Sequence, residues 1–227
     1  MRLQVKNLSK VFRTDTLQTN ALSNVTFDIA DGDFVAIMGP SGCGKSTLLN
    51  ILGLLDNPTS GSYLIDGTEV ANLRESGRTD FRKGRIGFVF QSFNLIDTMS
   101  IYDNIMLPLN NLPLSRTEKR TRVDEAMKRM GISHRSGHRP QQLSGGQQQR
   151  AAIARAIVSK PGLILADEPT GNLDSTNGAE VMALLDELHR DGATIVMVTH
   201  SQKDAAHADR IINLFDGQLV ENLNDKL

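Results

Sequence analysis

Apolar residues recur along this chain in two rhythms, and the change between them organises it. Short solid runs come first: Phe34-Val35-Ala36-Ile37-Met38, Ile86-Gly87-Phe88-Val89-Phe90, Leu163-Ile164-Leu165-Ala166 and Thr194-Ile195-Val196-Met197-Val198-Thr199. A strand covered on both faces is apolar throughout, so these runs predict buried strands of a mostly parallel sheet. Alternation in Leu3-Gln4-Val5 and Val25-Thr26-Phe27-Asp28-Ile29 predicts half-exposed strands, and Val11-Phe12 after a polar turn suggests a first hairpin. Tyr63-Leu64-Ile65, turned by Asp66-Gly67, adds a short strand, and Ile211–Leu214 with Gln218–Val220 closes the chain as a second hairpin around Asp216-Gly217.

The other rhythm is helical. Leu48–Leu52 follows the first solid strand, and Val123, Ala126, Met127 and Met130 share a face behind a capping box at Ser115-Arg116-Thr117-Glu118, with Gly131 as the stop. A further helix from Gln147 carries Ile153, Ala156 and Ile157 to a break at Pro161; another, capped by Ser175, aligns Val181, Leu184, Leu185 and Leu188 before Gly192. From Ser92 to about Lys160 helices replace strands. The pattern therefore predicts one α/β domain over 1–227: a core of 1–91 and 160–227 that opens with antiparallel β-structure, and a helical insertion at 92–159. Its chemistry belongs at the carboxyl edge of the sheet.

Composition narrows the picture. With 25 basic and 26 acidic residues the formal charge is −1, which advertises no nucleic-acid face. The basic cluster Arg116, Lys119, Arg120 and Arg122 is interleaved with Glu118, Asp124 and Glu125, as on a solvated helix face. A single cysteine, Cys43, excludes an internal disulfide and suits a reducing compartment. No apolar run approaches the eighteen or so residues that span a bilayer, so a role at a membrane would run through a partner.

The chemistry concentrates at Gly39-Pro40-Ser41-Gly42-Cys43-Gly44-Lys45-Ser46-Thr47, which fits the phosphate-binding pattern G-x-x-x-x-G-K-[ST]. A buried strand leads in and a helix leads out. Backbone N–H groups made available by Gly39, Gly42 and Gly44, together with the helix N-terminus, suit a triphosphate. Lys45 would reach the β- and γ-phosphates and Ser46 would ligate Mg²⁺. Cys43 is either a redox-sensitive thiol beside the phosphates or a tolerated small residue. Asp167, closing an apolar strand, is a second Mg²⁺ partner, and Glu168 beside it can deprotonate an attacking water. Gln91 at a strand end offers its amide oxygen to Mg²⁺ or to that water, and His200 at another offers a γ-phosphate contact.

Leu143-Ser144-Gly145-Gly146-Gln147 then brings the chain to a family. In order, the phosphate loop, Gln91, this LSGGQ signature, Leu163–Pro169, the Gly171-Asn172-Leu173-Asp174 loop and His200 resemble the ATP-binding-cassette (ABC) ATPases over essentially the whole chain. The resemblance implies a P-loop NTPase (RecA-like) core with an antiparallel β subdomain and an inserted α-helical subdomain. It also implies a dimer, of two copies or with a related ATPase subunit, that holds two ATP molecules. Each ATP would lie between one subunit's phosphate loop and the other's Ser144, Gly145, Gly146 and Gln147, with Asp174 nearby. Phe12 stands where the family places an aromatic on adenine, although hairpin packing explains it equally.

Gly-Asn-Leu-Asp after Asp-Glu-Pro-Thr, together with residues 87–96 and 106–109, resembles the subgroup serving lipoprotein-releasing, macrolide-exporting and related transporters. The expectation is an ATPase subunit peripheral to the cytoplasmic face of a membrane, driving a permease on a separate chain. The alternative is a cell-division-type ABC ATPase that drives a membrane partner mechanically. Residues 48–142 hold no sustained heptads, which argues against the coiled-coil ATPases of DNA repair.

Overall fold

The computed structural model describes residues 1–13 and 18–221; the stretch of the predicted domain from 222 to 227 lies outside the described residues. In chain order the strands are β1 (Leu3–Arg13), β2 (Gln18–Ile29), β3 (Phe34–Met38), β4 (Ser60–Ile65), β5 (Thr68–Glu69), β6 (Ile86–Phe90), β7 (Leu163–Asp167), β8 (Thr194–Val198), β9 (Arg210–Phe215) and β10 (Gln218–Val220). The α-helices are α1 (Lys45–Leu52), α2 (Glu75–Arg82), α3 (Ile101–Met106), α4 (Arg116–Arg129), α5 (Gly145–Ile157), α6 (Ser175–Arg190) and α7 (Gln202–Ala205). They form two compact units, Met1–Arg82 with Gly192–Leu227, and Lys83–Asp191. The expected helical insertion, 92–159, falls wholly inside the second.

In the first unit an antiparallel sheet runs β2-β1-β4-β5, and a second group runs β10-β9-β3-β8. β3 is parallel to both β8 and β9. Every residue of β3 and of β8 is buried, as their unbroken apolar composition requires. The expected first hairpin is corrected: Leu3–Val5 and Val11-Phe12 belong to one strand, β1, whose partner is β2. Asn7 has φ 49°, and the register shifts between Val5 and Leu8. That bulge puts Leu3, Val5 and Leu8 all in the core. It breaks the period of two and makes one strand read as two. The phenol of Tyr63, fully buried on β4, donates to Leu52 O at 2.8 Å and ties the last turn of α1 to the sheet. Burial without a nearby charge pushes that phenol's pKa upward.

In the second unit β6 and β7 pair in parallel, from Ile86 opposite Leu163 to Phe90 opposite Asp167. α5 lies on β6 so closely that a Cβ on Gly87 would fall 2.4 Å from Ala156 O. Ala151, Ala152, Ile153 and Ala154 are all fully buried, so α5 is enveloped on several sides, more than its one predicted apolar face. At the end of α4, Gly131 (φ 68°) and Ile132 return their N–H groups to Lys128 O and Met127 O, the Schellman pattern its glycine predicted. Ser115 Oγ accepts from Glu118 N at 3.2 Å, but the Glu118 carboxylate pairs with Arg122 at 2.9 Å, one turn on. The cap of α6 is Asp174 rather than the expected Ser175, because its carboxylate reaches the N–H groups of both Thr176 and Asn177.

Candidate functional site

The phosphate loop lies in the first unit. β3 delivers the chain to Gly39, whose substitution would bring a Cβ to 2.1 Å from Leu214 O and 2.6 Å from Cys43 Sγ. α1 opens at Gly44, which has φ 105° and no side chain with which to cap it. A Cβ there would also meet Ala21 O at 2.4 Å, so both conformation and space demand glycine. The absence of a side-chain cap suits an anion at the N–H groups of the first turn. Lys45 is buried, and its ammonium donates to Gly39 O and Pro40 O, each at 2.8 Å. Ser41 and Ser46 are exposed, and Thr47 is half-buried. The Cys43 thiol is buried and its pKa is pushed up by desolvation, with Lys45 acting the other way. Such a thiol is a poor nucleophile, which favours the reading of Cys43 as a small packed residue.

The same unit carries two more predicted residues. His200 is exposed just past β8, where Thr199 N donates to Ile37 O at 3.2 Å and so continues the β3–β8 pairing to the strand end. Phe12 is 45% exposed on β1, opposite Thr19, with the Lys10 ammonium 4.9 Å from its ring centroid. The ring is partly exposed on the β1–β2 pair, compatible with either expected role.

The second unit gathers the rest. Because Phe90 is paired with Asp167, Gln91 and Glu168 emerge at the same end of adjacent parallel strands. Gln91 is exposed, while Asp167 and Glu168 are half-buried. The Gln91 side-chain amide donates to Asn172 Oδ1 at 3.4 Å, and Asn172 Nδ2 returns a bond to Gln91 O at 3.0 Å. Glu168 has φ 46°, a left-handed conformation that costs a non-glycine residue on the order of 1–3 kcal/mol. Gly171 N donates to its carbonyl at 3.0 Å and closes a turn. Asp174 follows as the α6 cap; the N–H and side-chain amide of Asn177 hold its carboxyl below the usual range.

The signature meets this cluster. Ser144 caps α5 reciprocally, accepting from Gln147 N at 3.3 Å while Gln147 Oε1 accepts from Ser144 N at 3.2 Å. The helix therefore begins at Gly145, earlier than the expected Gln147. A Cβ on Gly145 would touch Leu173 at 3.5 Å and Phe93 at 3.8 Å, and one on Gly146 would overlap Asn177 Oδ1 at 2.0 Å. Three more residues complete the arrangement: Asn172, from a loop the sequence marked without giving it a role, and two that the sequence did not single out. Asn172 holds Gln91. Arg155, whose guanidinium pKa burial lowers, donates to Phe93 O and Asn94 O. Gln149 donates to Pro169 O, beside Glu168. Helical spacing from Ser144 was the only signal for the last two, since both lie on α5.

Ordered loop, strand-end acids and signature can now be set beside known proteins. The family described as "ABC transporter" matches residues 22–171, well over half of the chain. The chain belongs to the ABC transporter family. It is an ATP-binding cassette, an ATPase with the α/β P-loop fold. Over 97% of its length the cassette is 50% identical to the macrolide export ATP-binding/permease protein MacB of Chlorobium luteolum, of which it spans 33%. It is 46% identical to the uncharacterized ABC transporter ATP-binding protein MJ1508 of Methanocaldococcus jannaschii, covering 98% of this chain and 99% of that one. Among solved structures it resembles the dimeric post-hydrolysis state of the ATP-binding cassette MJ0796 bound to ADP and Pi, with a TM-score of 0.89, 45% identity and 97% of each chain covered. No helix among the described residues of this cassette is long and apolar enough to cross a membrane.

Proposed function

We propose that two copies of this cassette, or one copy and a related subunit, close around two ATP molecules and that hydrolysis drives a transmembrane permease. Lys45 and the loop N–H groups hold the β- and γ-phosphates, and His200 contacts the γ-phosphate. Glu168 takes a proton from the water whose oxygen attacks the γ-phosphorus, and the bond to the bridging oxygen breaks to release ADP and phosphate. Ser144, Gly145, Gly146 and Gln147 of one subunit face the ATP of the other, and Phe12 stacks on adenine. Asp174 assists by setting the start of α6 beside the signature. The observation that carries the reading is the pairing of β6 with β7, which brings Gln91 and the Asp167-Glu168 pair out together at one end of the two strands, with Glu168 turned left-handed there.

The residues fit Mg²⁺. Ser46, Gln91 and Asp167 present a hydroxyl, an amide oxygen and a carboxylate, the hard oxygen donors this ion takes. An ion of this kind keeps several waters and takes phosphate oxygens, so it needs few protein ligands. When bound, Mg²⁺ offsets charge on the phosphate oxygens.

The permease reading draws on the exposed apolar chain after Gln91. Ile96 is 43% exposed, and Phe93, Leu95 and Met99 are only half-buried, so they are not packed away inside the helical segment. Nearby, Tyr102, Met106, Leu114, Arg116 and Lys119 line a cavity of about 530 Å³. The likeness to MacB favours an exporter of the macrolide or lipoprotein-release kind, with the cassette peripheral to the membrane. The test is Glu168→Gln. It should bind ATP, accumulate an ATP-bound dimer and lose turnover by about 10²–10⁴-fold, the usual contribution of a positioned base. Phosphate release at the wild-type rate would exclude Glu168 as the base.

A further inference from the structure

We propose that Gln149, one and a half turns into the signature helix, is the positioning residue that holds Glu168 in its left-handed conformation. The proposal rests on the reading of Glu168 as the base. Gln149 is fully buried, and its amide is only half used: Nε2 donates to Pro169 O while Oε1 has no partner among the described residues. A carbonyl can only accept, so the orientation of the amide is fixed by its partner. A buried acceptor without a donor lowers stability; a methionine of similar length would remove this one but leave Pro169 O without its donor, so the two alternatives balance. Stability of the core does not explain a glutamine here.

Its target does. Glu168 lies between two anchored residues. On its amino side Asp167 is fixed by pairing with Phe90 across β6 and β7. On its carboxyl side the Pro169 ring fixes φ, and the Gln149 amide fixes the carbonyl and hence ψ. A strained residue relaxes when one flank is free to rotate; with both flanks held, Glu168 keeps φ 46°. Gln149 is also five residues from Ser144 on a continuous helix, roughly 7–8 Å along its axis. A shift of the signature is thereby transmitted to the backbone that presents the base.

The experiment compares Gln149→Met with Glu168→Gln and the double variant, using the full chain at saturating Mg-ATP. Gln149→Met should lower kcat about tenfold to hundredfold, the loss that follows displacement of a reacting group by about 1 Å. KM for ATP should stay within about twofold, ATP-dependent dimerisation should persist and the melting temperature should change little, because the unpaired Oε1 is removed while Pro169 O loses its donor. In the Glu168→Gln background the same change should cost less than about twofold, since the residue acts through the side chain already lost. Gln149→Asn, which keeps an amide but falls short of Pro169, should repeat the loss of kcat and stands in if the methionine variant does not fold. If Glu168→Gln is inactive while both Gln149 variants turn over at the wild-type rate, the positioning role is wrong and the base survives. A full repeat of the loss in the double variant also overturns it. A Glu168→Gln enzyme with wild-type turnover removes both.

Discussion

Two helices of this chain begin in glycine-rich segments, and they begin differently. α1 starts at Gly44 with no side-chain cap, and its first residue is Lys45. α5 starts behind Ser144, whose hydroxyl and backbone N–H are engaged with Gln147 in a reciprocal cap. The first mouth has uncapped N–H groups and a buried ammonium held by two loop carbonyls; the second is capped by its own side chains and has no charged residue among Gly145, Gly146 and Gln147. Glycine also serves different ends. At Gly42 the space is open and φ is 80°, whereas at Gly146 the backbone must come close to Asn177. On the proposed function, the first mouth grips a polyanion and the second, preformed and neutral, adds to a phosphate already held.

The sharpest way to break that contrast is at the charges. Lys45→Ala should lower hydrolysis about hundredfold or more, since each hydrogen bond to a charged group contributes roughly 1.5–3 kcal/mol and the proposed role of the lysine is to serve two phosphates. Ser144→Arg, which places bulk and charge at the neutral mouth, should also be inactive as a homodimer. Mixing the two inactive proteins should restore ATP-dependent dimerisation and part of the hydrolysis, because one of the two composite sites then joins an intact Lys45 to an intact Ser144. Mixed dimers that form but recover neither property would show that the two mouths do not share one ATP.

A smaller effect separates the glycines. Gly146→Ala must displace Asn177, whose amide is bonded to Asp174 at 2.6 Å, so the α6 cap gives way with it. A loss of about 1–3 kcal/mol is expected, seen as a fall in melting temperature of roughly 2–10 °C. Gly42→Ala has only the left-handed penalty of about 1–2 kcal/mol, and its thermal shift should be the lesser. Equal shifts would remove the distinction between an open loop and a packed one.

The smallest effect concerns the one charged cap among these helix starts. Hydrogen bonds from Asn177 hold the Asp174 carboxyl below its ordinary value of 3.8. The folded-state pKa is depressed, so its contribution is present above pH 3.8 and is lost as pH falls through the lower folded value. Asp174→Asn keeps a capping side chain without the titration. The melting temperature of the wild type relative to this variant should fall only below about pH 3.8; a parallel profile down to pH 2 would contradict the assignment.

Much of this was legible along the sequence. The Gly39–Thr47 segment needs only local order, strand then loop then helix, and it folds as that order implies. Asp167 and Glu168 were legible because an apolar run ended on them. Where the sequence reading of an element failed, a local competition decided. A bulge at Asn7 let β1 continue where alternation broke, and Asp174 outcompeted Ser175 because its carboxylate reaches two N–H groups. Gln149 and Arg155 were invisible as functional residues, and the marked Asn172 had no visible partner, since each acts on a backbone or amide brought close only by packing: 20, 62 and 81 residues away.

The wall of the phosphate loop arrives late. Gly217 N donates to Cys43 O at 3.0 Å, Ser23 N donates to Gly217 O at 2.8 Å, and Leu214 O lies where a side chain on Gly39 would be. The segment that defines the site is therefore braced by a turn more than 170 residues downstream. Closing so distant a contact is slow compared with forming α1. On a ribosome, the loop and its helix emerge long before the residues that hold them in place. The braced form of the loop therefore waits for the turn between β9 and β10, whatever the order in which its other contacts form.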